Sequence, residues 1–125
     1  MGELTISDVR PFVPAADFAM LLRFYRAVGW ELGYSDDSLA VLARDGHRFY
    51  LQDYFVKDWA ENMMLHIAVP SAEAWFQFVT DALASGEFGN ARVAPPKREP
   101  WGATITYVWD PCGVLLHFTQ WAASG

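Results

Sequence analysis

Residues 100–118 read PWGATITYVWDPCGVLLHF, and this stretch predicts a β-hairpin. Two segments rich in β-branched and aromatic residues flank the tetrapeptide DPCG, in which proline and glycine favour a tight turn. Alternate residues of a strand share a face, so His117 points away from Leu116 and Phe118. If those two residues pack on a helix, His117 lies on the open face of the sheet, where a ligand or a metal can reach it.

The composition is that of a small protein with more aromatic residues than its core needs. The chain has 125 residues, of which 53% are hydrophobic and 16% aromatic, so we expect one domain over residues 1–125. A net charge of -6 argues against nucleic acid and mildly favours a cationic small molecule. We expect no membrane span and no export signal. The single cysteine, Cys112, agrees with a reducing compartment, so we expect a cytoplasmic protein.

Two segments show helical periodicity. In ADFAMLLRFYRAVG the apolar residues recur at helical spacing, which predicts a helix over about 17–28 with Asp17 as its N-cap and Gly29 after its end. In SAEAWFQFVTDALASG we expect a second helix that begins after Ser71 and stops at Gly86. Each helix follows a short apolar strand.

The strands complete a repeated order of elements. DVRPFVP, WELGY, LAVLAR and HRFYLQDY read as strands around the first helix, with an Asp-Gly hairpin turn before His47. MLHIAV and the hairpin of residues 100–118 surround the second helix. FVKDWAENM reads as a connection and EFGNARVAPPKREP as a loop. We therefore expect two βαβββ modules, over about 5–56 and 62–121.

Superposition of the two modules gives two pairs of equivalent positions. We match VPA at 13–15 with VPS at 69–71, and Gly46 with Gly113. Arg10 then matches His66 on the first strand of each module, and Tyr50 matches His117 on the last strand. We expect the modules to curl around one shared hollow, into which the four matched side chains point.

Several motifs in this order resemble the vicinal oxygen chelate superfamily, and within it the bleomycin resistance proteins. They are FVPAADFAMLLRFYRAVGW near the start, LHIAV in the middle, and EPWG followed by DPCGVLLHF near the end. The resemblance implies an α+β fold in which tandem βαβββ modules form a cupped mixed sheet with helices on its outer face. It also implies a homodimer.

The resemblance places possible metal ligands at the four matched positions. Glyoxalases and extradiol dioxygenases of the superfamily draw ligands from the positions that match Arg10, Tyr50, His66 and His117. Only the two histidines are ordinary ligands, and the Arg10 guanidinium would oppose a cation. We therefore expect no metal and no other cofactor. The alternative is a metal-dependent enzyme (a glyoxalase-type lyase, an extradiol dioxygenase or a thiol transferase) that binds its divalent metal through His66 and His117.

A binding site needs only an aromatic hollow with a few polar anchors. Trp101 of EPWG matches a tryptophan that, by resemblance, belongs to the aromatic wall holding the flat rings of a bleomycin-type drug. We expect a binding protein rather than an enzyme, with no catalytic residues, that sequesters a flat small molecule able to carry positive charge, such as a bleomycin-type glycopeptide antibiotic. Alternatively, His66 and His117 are hydrogen-bonded groups of the core, as lone histidines in apolar strands usually are. The expected ligand-binding residues are Arg10, Phe12, Tyr50, Trp59, His66, Trp101 and His117.

Overall fold

The computed structural model describes residues 2–122 and shows the predicted α+β class. A short 3-10 helix over Gly2–Leu4 precedes the first module. The first module comprises β1 (Phe12–Pro14), α1 (Phe18–Ala27), β2 (Glu31–Ser35), β3 (Leu39–Arg44) and β4 (His47–Gln52). The remainder comprises α2 (Lys57–Asn62), β5 (Met64–Ala68), α3 (Ala72–Leu83), β6 (Arg92–Val93), β7 (Lys97–Arg98), β8 (Ala103–Trp109) and β9 (Leu115–Trp121).

Each module forms its own sheet, and the two sheets share one topology. Sheet A has the strand order β1-β4-β3-β2, and sheet B has the order β5-β9-β8-β6, with β7 also paired to β8. In both sheets the first strand of the module runs parallel to the last, while the remaining pairs are antiparallel. The repeated βαβββ order that the sequence predicts is therefore present, with β7 as an additional short strand in the second module.

The two main helices begin and end where the sequence predicts. The Asp17 carboxylate accepts a hydrogen bond from the Met20 amide at 3.1 Å, and the Ser71 hydroxyl accepts one from the Ala74 amide at 3.0 Å. Each side chain satisfies an amide that has no partner within its helix. Gly29, just past α1, has a φ of 106°, a conformation that glycine adopts without steric cost.

The first hairpin also turns as predicted, whereas two connections contain unpredicted structure. Asp45 and Gly46 both have positive φ, at 50° and 83°, as a two-residue type I′ turn requires. The segment predicted as a plain connection contains α2, and the Pro-rich loop contributes the two-residue strands β6 and β7. Both strands pair antiparallel with β8 in sheet B.

A buried hydrogen bond ties α1 of the first module to the DPCG turn of the second. The Tyr25 hydroxyl donates to Asp110 Oδ2 at 2.6 Å, and neither residue is more than 1% exposed. Asp110 Oδ1 accepts from the amides of Cys112 and Val114. Burial raises the pKa of Asp110, against these hydrogen bonds, which lower it. The turn that closes the second hairpin is therefore also a contact between the modules.

Apolar residues on the helix side of both sheets form the core. In sheet A these include Val13, Leu42, Phe49 and Leu51, all at most 2% exposed. Phe24 on α1 packs against Phe88, between α3 and β6, with ring centroids 5.7 Å apart. No helix within residues 2–122 is both long and apolar enough to cross a bilayer.

Candidate functional site

Strand register changes the correspondence between the modules. In the parallel pair β1–β4, Phe12 lies opposite Tyr50, and in the parallel pair β5–β9, His66 lies opposite His117. Phe12 is therefore the counterpart of His66. The prediction that Arg10 holds this place is wrong, since Arg10 precedes β1 by two residues.

Backbone contacts after the strands give the same alignment. The Ala15 amide donates to the carbonyl of Gln52, and the Val69 amide donates to the carbonyl of Thr119, both at 2.9 Å. The helix caps Asp17 and Ser71 also correspond. The similarity of VPA to VPS misplaced the first strand by two residues, a shift that keeps every side chain on its predicted face.

The two histidines lie side by side on the face of sheet B that is turned away from α3. His66 is exposed and His117 is half-buried. Their neighbours Leu116 and Phe118 point the other way and are fully buried, and the Phe118 ring stacks on Trp75 of α3 at 4.6 Å. His117 is thus on the open face, as strand alternation predicts.

Aromatic side chains surround the histidines on this surface. Tyr107 lies opposite His117 in register, with the rings edge to face at 4.9 Å. Trp121 lies 5.8 Å from the His66 ring and is 53% exposed. Trp109 follows Tyr107 on the same face, 6.4 Å away. We call this surface the histidine face; it comprises His66, Tyr107, Trp109, His117 and Trp121.

The environment of His117 favours its neutral form. Burial lowers its pKa below the usual value of 6.5, and the adjacent His66 lowers it further, while the Glu99 carboxylate opposes both effects. His117 Nε2 is inaccessible to solvent and has no hydrogen-bond partner within residues 2–122. His66 Nδ1 lies 3.5 Å from the Thr119 hydroxyl. A neutral His117 adds no positive charge to this surface.

Glu99 lies at the border of the histidine face and is a buried carboxylate. The residue is 8% exposed, and its Oε2 accepts a hydrogen bond from the Tyr107 hydroxyl at 3.2 Å. Its Oε1 lies 3.3 Å from the Lys97 ammonium. Burial, with the nearby carboxylate, raises the pKa of Tyr107, so its hydroxyl stays protonated and continues to donate.

Arg10 and Tyr50 form a separate group on sheet A. Arg10 pairs with Asp8 at 2.7 Å and donates to the Tyr50 hydroxyl at 3.3 Å, with its guanidinium 5.4 Å from the ring centroid. The Asp8 carboxylate raises the pKa of Arg10. The Phe12 ring stacks on the Tyr50 ring, with the two centroids 4.7 Å apart. The guanidinium is thus already held by the chain's own carboxylate and phenol.

Trp59 and Trp101 occupy two further positions. Trp59 lies on α2 and, with Phe12, Gln52 and Tyr54, lines an open cleft of about 480 Å³ on sheet A. Trp101 lies in the turn between β7 and β8 and is 59% exposed. No ring contact with Trp101 is present among the described residues, so its side chain is available to a partner.

The predicted residues thus fall into separate groups. No hydrogen bond, ion pair or ring contact within residues 2–122 joins Arg10 or Tyr50 to His66 or His117. A cavity of about 580 Å³ between the modules includes His66 among its lining, together with Trp30, Arg44, Arg48 and Trp75, but does not include the other three matched residues. The expectation that these four side chains point into one shared hollow stays a prediction.

Sequence reasoning missed five residues of the candidate site, and local signals point to three of them. The hairpin turn DPCG fixes Tyr107 opposite His117, and Trp109 shares its face by strand alternation. Trp121 follows His117 at even spacing in the same strand. No such local signal identifies Glu99 or Lys97, because their position depends on the pairing of a two-residue strand with β8.

The donor set offers a metal little support. Among the described residues, no group of three or more His, Cys, Asp or Glu is placed to hold a metal ion. The four equivalent positions are now Phe12, Tyr50, His66 and His117, of which the first has no donor atom. A catalytic zinc site uses about three protein ligands, and two of these four described positions are histidines.

Comparison with solved structures identifies the fold. No protein-family model and no curated protein sequence matches the chain. A bleomycin-binding protein from Streptomyces verticillus, solved with copper(II)-bleomycin, superposes with a TM-score of 0.77 at 20% identity, covering 97% of this chain and 99% of that one. The chain has the vicinal oxygen chelate fold.

Other structures with this fold differ in function. TnmS3, an antibiotic binding protein from a Streptomyces species, is 20% identical with a TM-score of 0.75, over 95% of this chain and 99% of that one. A lactoylglutathione lyase from Agrobacterium tumefaciens is 16% identical with a TM-score of 0.65, over 93% and 95%. The vicinal oxygen chelate fold thus includes both binding proteins and enzymes, and side chains must distinguish them.

Proposed function

We propose that this protein binds and sequesters a flat small molecule able to carry positive charge, such as a bleomycin-type glycopeptide antibiotic, in the cytoplasm and without a metal. Protection would come from stoichiometric capture, with no bond of the ligand changed. The observation that carries the proposal is the histidine face, where three aromatic rings and a neutral histidine border a buried carboxylate.

The chemistry of this face suits a planar ligand. Aromatic rings bind other flat groups most strongly in stacked or edge-on contact, and the faces of the rings also attract cations. The Arg92 guanidinium already lies 3.6 Å from the centroid of the Trp109 ring. The bleomycin-binding and antibiotic-binding proteins of the same fold support a ligand of this kind.

The metal-dependent enzyme is the second candidate, because two histidines lie side by side. If a divalent ion binds, His66 and His117 would hold it, and the ion would supply Lewis-acid chemistry. Further protein ligands would then have to come from outside this pair. Elemental analysis separates the candidates: a stoichiometric divalent metal in purified wild-type protein that is lost in the His66→Ala/His117→Ala variant would refute the metal-free proposal.

Thermal unfolding tests the ligand class. A ligand present at 100 times its dissociation constant adds about 2.7 kcal/mol to the free energy of unfolding. We expect bleomycin-type compounds to raise the Tm of the metal-free protein. If they give no shift while another chemical class does, the drug assignment is wrong although the chain is a binding protein.

A pair of variants tests the location of the site. Trp121 and Phe78 are both large and exposed, at 53% and 45%, but Phe78 lies on α3, behind sheet B. We expect Trp121→Ala to weaken binding about threefold or more, the value of a lost aromatic contact, and Phe78→Ala to leave it unchanged. Equal losses in both variants would contradict a site on the histidine face.

The proposal includes a homodimer. The segment before β1 exposes Leu4, Ile6 and Val9 at 90%, 76% and 76%, and Met64 on the edge strand β5 is 61% exposed. A second copy of the chain would remove such apolar surface from water. Sedimentation equilibrium measures the mass directly, and a monomer at micromolar concentration would refute this part of the proposal.

A further inference from the structure

We propose that Glu99 is the anchor for the ligand's cationic group and that Lys97 occupies that position in the free protein. This inference rests on the proposed function, which it deepens by assigning the charged end of the ligand to one carboxylate. Binding would exchange the protein's ammonium for that of the ligand. Lys97 would then compete with cationic ligands for Glu99, whereas neutral ligands would not meet this competition.

The two oxygens of Glu99 differ in their surroundings. Oε2 accepts from the Tyr107 hydroxyl, which fixes the carboxylate beside the histidine face. Oε1 is inaccessible to solvent and accepts no hydrogen bond from any described residue. Lys97 lies 3.3 Å from Oε1, close enough for an ion pair but without hydrogen-bond geometry. A buried carboxylate oxygen in this state has acceptor capacity that a better-placed donor would use.

Lys97 can leave this position when a ligand cation replaces it. Its side chain is 70% exposed, so its ammonium can return to water, and the ligand's ammonium then keeps the buried Glu99 carboxylate paired. Glu99 cannot leave as readily, because it is buried and its backbone amide donates to the Ala103 carbonyl at 2.7 Å. The pair thus joins a fixed anion to a removable cation.

One ring of the neighbouring aromatic surface already binds a cation of the chain itself. Arg92, which is exposed, places its guanidinium over the Trp109 ring, on the same face of sheet B as Tyr107. A ligand whose flat part lies on this surface would bring an attached ammonium toward Glu99. The neutral His117 adds no opposing charge, whereas Arg92 adds one at the Trp109 ring, so the ammonium is favoured at Glu99 rather than over Trp109.

A matched pair of small probes tests the exchange. Benzylammonium and benzyl alcohol have the same ring and differ in charge, and their weak binding can be followed by amide chemical shifts of residues 97–107. Each probe is titrated into wild-type protein, Lys97→Met and Glu99→Gln. We expect Lys97→Met to bind benzylammonium about fivefold more tightly than wild type, Glu99→Gln to bind it about tenfold more weakly, and benzyl alcohol to bind all three alike.

The opposite signs of the two variants distinguish an anchor from a structural ion pair. If the pair only stabilises the β7–β8 connection, both variants will lose affinity for both probes and both will have a lower Tm. That result, or equal binding of benzylammonium to wild type and Glu99→Gln, overturns the inference. Failure of the proposed function gives a different result, in which the small probes discriminate by charge but bleomycin-type compounds produce no thermal shift.

Discussion

Replacement of Tyr25 by phenylalanine should destabilise the protein through Asp110. The Tyr25 hydroxyl is one of three donors to this buried carboxylate and the only one from the first module among the described residues. The variant keeps the ring and its packing but removes the donor. A hydrogen bond to a charged group is worth about 1.5–3 kcal/mol, which is a large share of the roughly 5–15 kcal/mol that stabilises a typical domain.

Urea denaturation followed by tryptophan fluorescence measures this loss, and the corresponding fall in Tm is about 5–10 °C for a chain of this size. Tyr34→Phe is the matched control. Its hydroxyl also donates to a carboxylate, Asp36, at 2.9 Å, but the residue is 55% exposed, so water can replace the lost bond. We expect no measurable change in that variant.

The pH dependence adds a second test. Burial raises the pKa of Asp110, and loss of the Tyr25 donor should raise it further. A carboxyl group whose pKa is raised on folding favours the folded state in acid, and this stability is lost as the pH rises through the raised pKa. The deficit of Tyr25→Phe should therefore be largest at neutral pH and shrink in acid. A deficit equal to that of Tyr34→Phe, or one that grows in acid, would refute the reasoning.

Three other substitutions have expected outcomes. Trp101→Ala should change the free energy of unfolding by less than about 0.5 kcal/mol, because the side chain is exposed, but should weaken ligand binding about threefold or more, as isothermal titration calorimetry with a bleomycin-type compound would show. Gly46→Ala should cost about 1–2 kcal/mol in urea denaturation, since a φ of 83° is strained for alanine. His117 has a pKa below 6.5, so wild-type protein should lose stability as the pH falls from about 7 toward 5, and His117→Gln should lose less over that range.

Local chemistry made the helices and hairpins predictable. Asp17 and Ser71 are side chains that cap helices, and the Asp-Gly turn forms without strain, so neighbouring residues alone determine these features. The helix over Lys57–Asn62 was missed because it has only six residues and its N-cap, Val56, makes no side-chain hydrogen bond. Short helices of this kind depend on tertiary packing rather than propensity.

The candidate site was predictable only in part, for a related reason. His66 and His117 share a face by strand alternation, which sequence reveals. Glu99 reaches the histidine face through the pairing of β7 with β8, where only two residues of β7 take part. Pairing so brief leaves no periodic pattern in the sequence, so the carboxylate could not be placed.

The superposition of the two modules was wrong by two residues in the first strand, and this error changes the strand partner but not the face. Because strand side chains alternate with a period of two, a shift by two residues preserves the face but changes the partner. Phe12 therefore takes the position predicted for Arg10, and the chemistry of that position changes from a repelling charge to an apolar ring. Arginine would oppose a cation there, whereas phenylalanine supplies no lone pair to a metal and offers a ring to a flat ligand. Both residues disfavour a metal, but only Phe12, stacked on Tyr50, adds an aromatic ring to this part of sheet A.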